Sequence, residues 1–130
     1  MMFTMIICRG QIKKDSIPQI RLDFTIRLND SVQQNLNYEV LIKNVGNNHS
    51  DKFRTSAKPY FNLDYNSLFE MEFTCKSCST VIIDVDTYNA PIDNWLLEAT
   101  ILLTTSNQDK KKTGRIFYSE KEETFAKEKY

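Results

Sequence analysis

From Ile20 to Leu28 the chain alternates without a break: Ile20, Leu22, Phe24, Ile26 and Leu28 are apolar, and Arg21, Asp23, Thr25 and Arg27 between them are polar. Successive side chains of a strand point to opposite faces, so this period of two predicts a strand buried on one side. The same period recurs where Phe69, Met71, Phe73 and Cys75 oppose Glu70, Glu72 and Thr74, and again through Trp95, Leu97, Ala99, Ile101 and Leu103. Thr80 to Asp86 is β-branched and apolar enough for a buried strand. With the alternating run that follows, it reads as two strands flanking one acidic loop that takes the chain back. Phe3 to Lys13, apolar and then polar, suits an edge strand. Tyr38 to Lys43, Phe53 to Ser56 and Gly114 to Tyr118 complete the set.

Polar connections separate these runs: a turn at Ser16 to Pro18, NDSVQQNLN, an asparagine-rich loop from Asn44 to Ser50, and NQDKKKT. The last stretch, SEKEETFAKEKY, predicts a short helix or a frayed, solvent-exposed tail. Eight short strands and no long amphipathic helix predict an all-β fold, an eight-stranded antiparallel β-sandwich over residues 1–118 followed by a charged tail over 119–130.

Length and charge narrow the function classes. A chain of 130 residues is long enough to bury a single core. Its 17 basic residues balance its 17 acidic ones, so nothing global draws it to nucleic acid or anionic membrane, and an electrostatic partner must meet a local patch. The apolar run near the N-terminus is far shorter than the ~20 residues of a membrane span. It reads as a first strand, and the protein as intracellular, cytoplasmic or peripheral to a membrane or cytoskeletal assembly.

Candidate chemistry is sparse. The single histidine, His49, lies in an asparagine-rich loop, and no Gly-rich phosphate loop, nucleophile elbow or zinc-protease helix motif is present. Without a general acid–base constellation the chain predicts no enzyme. Cys75 and Cys78 form a C-x-x-C between two strand-like flanks. Half a zinc site or a redox pair is one reading; a hairpin turn that carries two thiols is the simpler one, because Cys8 and His49 alone remain to complete a zinc site. Asp84 and Asp86, with Asp93 nearby, are the local oxygen supply for a hard cation such as calcium; otherwise they end a strand and cap a turn.

The order of segments resembles a C2 domain, the β-sandwich of protein kinase C and synaptotagmin. CRGQI followed by IRLDFTIRL looks like the family's first two strands, and NYEVLI resembles the aspartate–proline–tyrosine–valine segment that opens its third. KFRTSAKPYFNLDYNSLFEMEF is similar to its basic strand, asparagine-containing turn and aromatic strand. TVIIDVDTYNAPIDNWLLEATILL looks like its strand, D-x-D loop and return strand, and GRIFY resembles its last strand.

The resemblance implies a calcium site at Asp84, Asp86 and Asp93, with either Asp93 or Asn94 at the third position of the loop, reduced from the family's set. Asn37 stands where a second aspartate of the first loop is expected, Asp30 is the acidic residue left there, and Leu97 replaces a glycine. It also implies a basic strand pair near which Lys43, Lys52, Arg54 and Lys58 lie, offset by Glu39 and Asp51, for anionic headgroups. Trp95, beside Ile92, reads either as a loop tip that inserts into a membrane or partner, or as a core residue starting an alternating strand.

The sequence therefore predicts a C2-like, non-enzymatic binding or scaffolding module that engages other protein subunits. Two alternatives accompany it. One is calcium-dependent phospholipid binding. The other is an OB-like subunit that binds single-stranded nucleic acid through Phe53 with Arg54 or Tyr60 with Phe61, which the neutral net charge disfavours.

Overall fold

The computed structural model describes residues 3–10, 18–29, 31–32, 37–55, 59–76, 78–105 and 110–130. Among them are eleven strands and no helix: β1 (Phe3–Gly10), β2 (Ile20–Leu28), β3 (Ser31–Val32), β4 (Tyr38–Asn44), β5 (His49–Thr55), β6 (Tyr60–Leu63), β7 (Leu68–Cys75), β8 (Val81–Asp86), β9 (Asn94–Leu103), β10 (Lys111–Ser119) and β11 (Thr124–Lys129). One sheet runs β1-β9-β2-β3, with β6 on the same side of β2 as β3; the other runs β11-β10-β8-β7-β4-β5.

The alternating segments do what their period requires. Ile20, Leu22 and Phe24 of β2 and Leu97, Ile101 and Leu103 of β9 turn inward from the first sheet and are fully buried. Val40, Met71, Phe73, Ile83, Val85, Ile116 and Phe125 meet them from the second. Phe24 packs edge-on to Phe73 with ring centroids 4.9 Å apart, and Trp95 lies 5.1 Å from Phe125, so the two sheets share one core. Burying each large side chain contributes roughly 1.5–3 kcal/mol, which makes this layer the main source of stability.

Three expectations need correction. The sheets are mixed rather than antiparallel: β2 pairs in parallel with β9, and β8 with β10. Residues 119–130 are not a tail. After a turn, β11 pairs antiparallel with β10 from Gly114↔Lys129 to Ser119↔Thr124, held by one apolar anchor, Phe125, 1 % exposed. And β8 and β9 do not form a hairpin, because they belong to different sheets and the acidic loop between them crosses the sandwich. Period two fixes which face a residue takes, but not which strand lies beside it.

With three glycines in the chain, the turns use asparagine to reach the left-handed backbone region: Asn29, Asn48, Asn66 and Asn89 have φ of 50°, 57°, 52° and 64°. Asparagine tolerates this conformation better than other non-glycine residues.

Tyr38 starts β4 opposite Cys75 and is 3 % exposed. Burial pushes its phenol up from 10 to about 12. The unfolded chain loses this proton near pH 10 and the folded chain near 12. Stability is therefore intact below pH 10 and falls between the two values, by about 1.4 kcal/mol per pH unit and about 3 kcal/mol in all. Urea melts at pH 9 and 11.5 should show about 2 kcal/mol of this loss in the wild type and a much smaller one in Tyr38→Phe.

Candidate interaction surface

The outer face of the six-stranded sheet is a lattice of paired charges. Glu39 on β4 accepts from Arg54 at 2.6 Å and lies 3.2 Å from Lys52, both on the neighbouring β5. These hydrogen bonds, from Arg54 first and then Lys52, hold the Glu39 carboxyl below its ordinary range. Lys110 meets Glu72 at 2.9 Å, Lys112 meets Glu70 and Asp84 at 3.3 and 3.4 Å, and Arg115 meets Glu128 at 2.7 Å. Burial pulls the Lys112 ammonium down, but its carboxylate partners reverse this and leave it above its ordinary value.

Lys43, Lys52 and Arg54 share this face, since residues of one parity on β4 and β5 point the same way. The structure thus gathers three of the basic residues singled out in the sequence, but interleaves them with Glu39, Glu70 and Glu72. Lys58 and Asp30 lie outside the described residues. Surface pairs of this kind contribute little stability each, and they also cancel the field that an anionic surface would feel.

The three aspartates do not form a cation site. Asp84 accepts from the Tyr130 hydroxyl at 2.7 Å and faces Lys112. Asp86 caps the next turn, accepting from the Tyr88 N–H at 2.9 Å, and Asp93 accepts from the Asn94 N–H at 2.8 Å as β9 begins. Asp84 and Asp86 lie on the outer face of β8, whereas Asp93 enters the opposite sheet. No group of three or more histidine, cysteine or acidic side chains able to hold a metal occurs among the described residues.

The loop from Thr87 to Asp93 is instead a clamp, for which no motif in the sequence is a signal. Thr87 is fully buried. Its hydroxyl donates to the Asp64 carbonyl at 2.7 Å and accepts from the Ser67 N–H at 3.0 Å, while its own N–H donates to the Ser67 carbonyl at 2.9 Å. The Tyr65 hydroxyl bonds the Asp93 carbonyl and accepts from the Asp93 N–H at 3.0 Å. The β6–β7 turn and the β8–β9 crossing are thereby tied together.

Trp95 is 2 % exposed and so is not at an inserting tip; its indole N–H donates to the Pro91 carbonyl at 3.0 Å. Ile92 and Tyr88 of the same loop are 59 % and 48 % exposed, and further exposed aromatic side chains lie on β5 and β6. Among the described residues β5 is an edge strand of the six-stranded sheet and β6 pairs with β2 alone, and between them opens a groove of about 810 Å³ whose lining includes Ile42, Phe53, Phe61, Leu63 and Phe69. Phe53 is 43 % and Tyr60 55 % exposed. Phe53 packs against Phe61 with ring centroids 5.5 Å apart and the planes tilted by 55°, and the Arg21 guanidinium lies 4.1 Å over the Tyr60 ring. His49 and Asp51, 3.1 Å apart, stand on the same face of β5 as Phe53.

Among the described residues no helix is long and apolar enough to cross a membrane. Compared with known proteins, the chain matches no family model, no curated protein and no solved structure.

Proposed function

We propose that the chain is a non-enzymatic binding module, C2-like in the order of its sequence segments, that takes an extended segment of a partner protein at the open side between β5 and β6. The observation that carries this reading is Phe53, 43 % exposed on β5 and packed against Phe61 of β6, with Tyr60 exposed on the other face of β6, at two strand edges that have no further strand partner among the described residues. A free edge offers backbone N–H and C=O groups to an added strand, and the groove behind it offers an apolar seat for alternate side chains. A protein segment is favoured over lipid or nucleic acid because Lys52 and Arg54 are already matched by Glu39. Phe53 and Arg54 also point to opposite faces of β5, which separates the stacking ring from the cation that an oligonucleotide needs beside it. Nor does the exposed His49–Asp51 pair favour hydrolysis, since Ser50 between them faces the other way.

The test is chemical cross-linking and pull-down from the native source with the wild-type chain, a Phe53→Ser/Tyr60→Ser variant and an outer-face control, Arg115→Ser. A partner held by the wild type and the control but lost by the double variant supports the groove. Equal capture by all three, or a monodisperse monomer with no partner, overturns it. Flotation with phosphatidylserine vesicles, with and without calcium, should leave the protein unbound.

A further inference from the structure

We propose that Cys75 and Cys78 are a reversible dithiol–disulfide couple that exchanges with a small anionic thiol, of the glutathione class, while the domain stays folded. The structure joins the two as a disulfide across the β7–β8 turn, with Cα atoms 5.1 Å apart and the Cys78 N–H donating to the Cys75 carbonyl at 3.1 Å. That Cα spacing falls within the range disulfides require.

The bond closes nothing that is not already closed. β7 and β8 are laddered from Leu68↔Asp86 to Phe73↔Val81, right up to the turn. Beyond Cys78, Ser79 is buried and fixed to the far sheet: its N–H donates to the Thr104 carbonyl at 2.8 Å and its hydroxyl lies 2.8 Å from the Thr104 hydroxyl. In the chain-entropy picture a cross-link stabilises a fold more the longer the loop it restrains, and a separation of three residues restrains little. Both thiols therefore keep their places when the bond opens and can close it again.

Access is also built in. Both cysteines are half-buried, and a depression of about 560 Å³ lined by Asn37, Tyr38, Glu39, Arg54, Thr74, Cys75 and Lys76 opens beside Cys75. Arg54 is matched there by Glu39, but Lys76, exposed at the turn between the cysteines, favours an anionic thiol and stabilises the thiolate that leaves. The exchange balances as follows. One thiolate attacks a sulfur of the pair, giving a mixed disulfide and one free cysteine thiolate. A second thiolate then attacks the mixed disulfide. Two external thiols are oxidised to their disulfide while Cys75 and Cys78 are reduced by two electrons and take up the two protons.

The experiment equilibrates the native full chain in mixtures of reduced and oxidised glutathione, quenches with acid, and maps the cysteines by differential alkylation and peptide mass. Parallel circular dichroism and Trp95 emission follow the fold. Cys75 and Cys78 should interconvert together as one two-electron step with both spectra unchanged. Cys78→Ser should leave a glutathione adduct on Cys75, and Lys76→Glu should slow exchange with both thiols but several-fold more with glutathione than with β-mercaptoethanol, which carries no charge beyond its thiolate. Free thiols persisting in excess oxidised glutathione, or reduction only when the dichroism collapses, overturns the couple. Equal slowing with both thiols overturns the anionic preference.

Discussion

Trp95→Ala should cost about 3–5 kcal/mol, the range for truncating a large buried aromatic. Against a total of about 5–15 kcal/mol for a domain, that is a large share of the stability. The size follows from position. Trp95 starts β9 beside Ile20 of β2, sits 5.1 Å from Phe125 and 6.0 Å from Tyr118, and bonds Pro91 through its indole. Its loss opens a cavity at the one place where the C-terminal strand is anchored, so β11 should fray first. Urea titration followed by far-UV dichroism measures the cost, and amide exchange in residues 124–129 locates it. As the only tryptophan in the chain, Trp95 also reports on itself: its emission should be that of a buried indole and should not move when vesicles are added. A red-shifted native spectrum, or a variant as stable as the wild type, contradicts this placement.

Thr87→Val is the second large effect, about 2–3 kcal/mol, although it keeps the shape of the side chain. The hydroxyl serves the Ser67 N–H and the Asp64 carbonyl together, and a buried group left without its partner costs about 1–3 kcal/mol. Thr87→Ser retains both bonds and loses only a methyl group, so it should cost less than about 1 kcal/mol. Comparing the two urea midpoints separates hydrogen bonding from packing. If valine is tolerated as well as serine, the clamp between the β6–β7 turn and the β8–β9 crossing is not a stabilising feature.

Most strands were legible because their periodicity is local information. Ile20 to Leu28 and Trp95 to Leu103 declare a buried and an exposed face in their own residues, and the structure buries the apolar parity of each. Partner choice is not local. Nothing in TVIIDVD shows that it pairs in parallel with a strand some thirty residues later rather than with the next one, and β11 was missed because TFAKEK has a single apolar anchor among charges. Those charges are satisfied laterally: Glu128 takes Arg115 on β10, a complementarity visible only once the register is known. At the candidate surface the sequence sets Glu39 and Asp51 against Lys52 and Arg54; the structure gives both cations to Glu39, whereas Asp51 lies against His49 on the other face of β5. Phe53, Tyr60 and Phe61 were noted for stacking on bases, whereas the groove they line depends on two strand edges from different sheets.

The parallel pairing of β2 with β9 also sets a clock. Residues 20–28 have their main partner in residues 95–103, so the centre of one sheet cannot assemble until three-quarters of the chain is available. Closing so long a loop is entropically slow, and pairings of this kind place a domain among the slower folders, in the millisecond-to-second range. On the ribosome, β2 emerges early and waits with its apolar face unpartnered. A nascent chain that stops before Asn94 should therefore be a client for chaperones rather than a smaller version of the same fold.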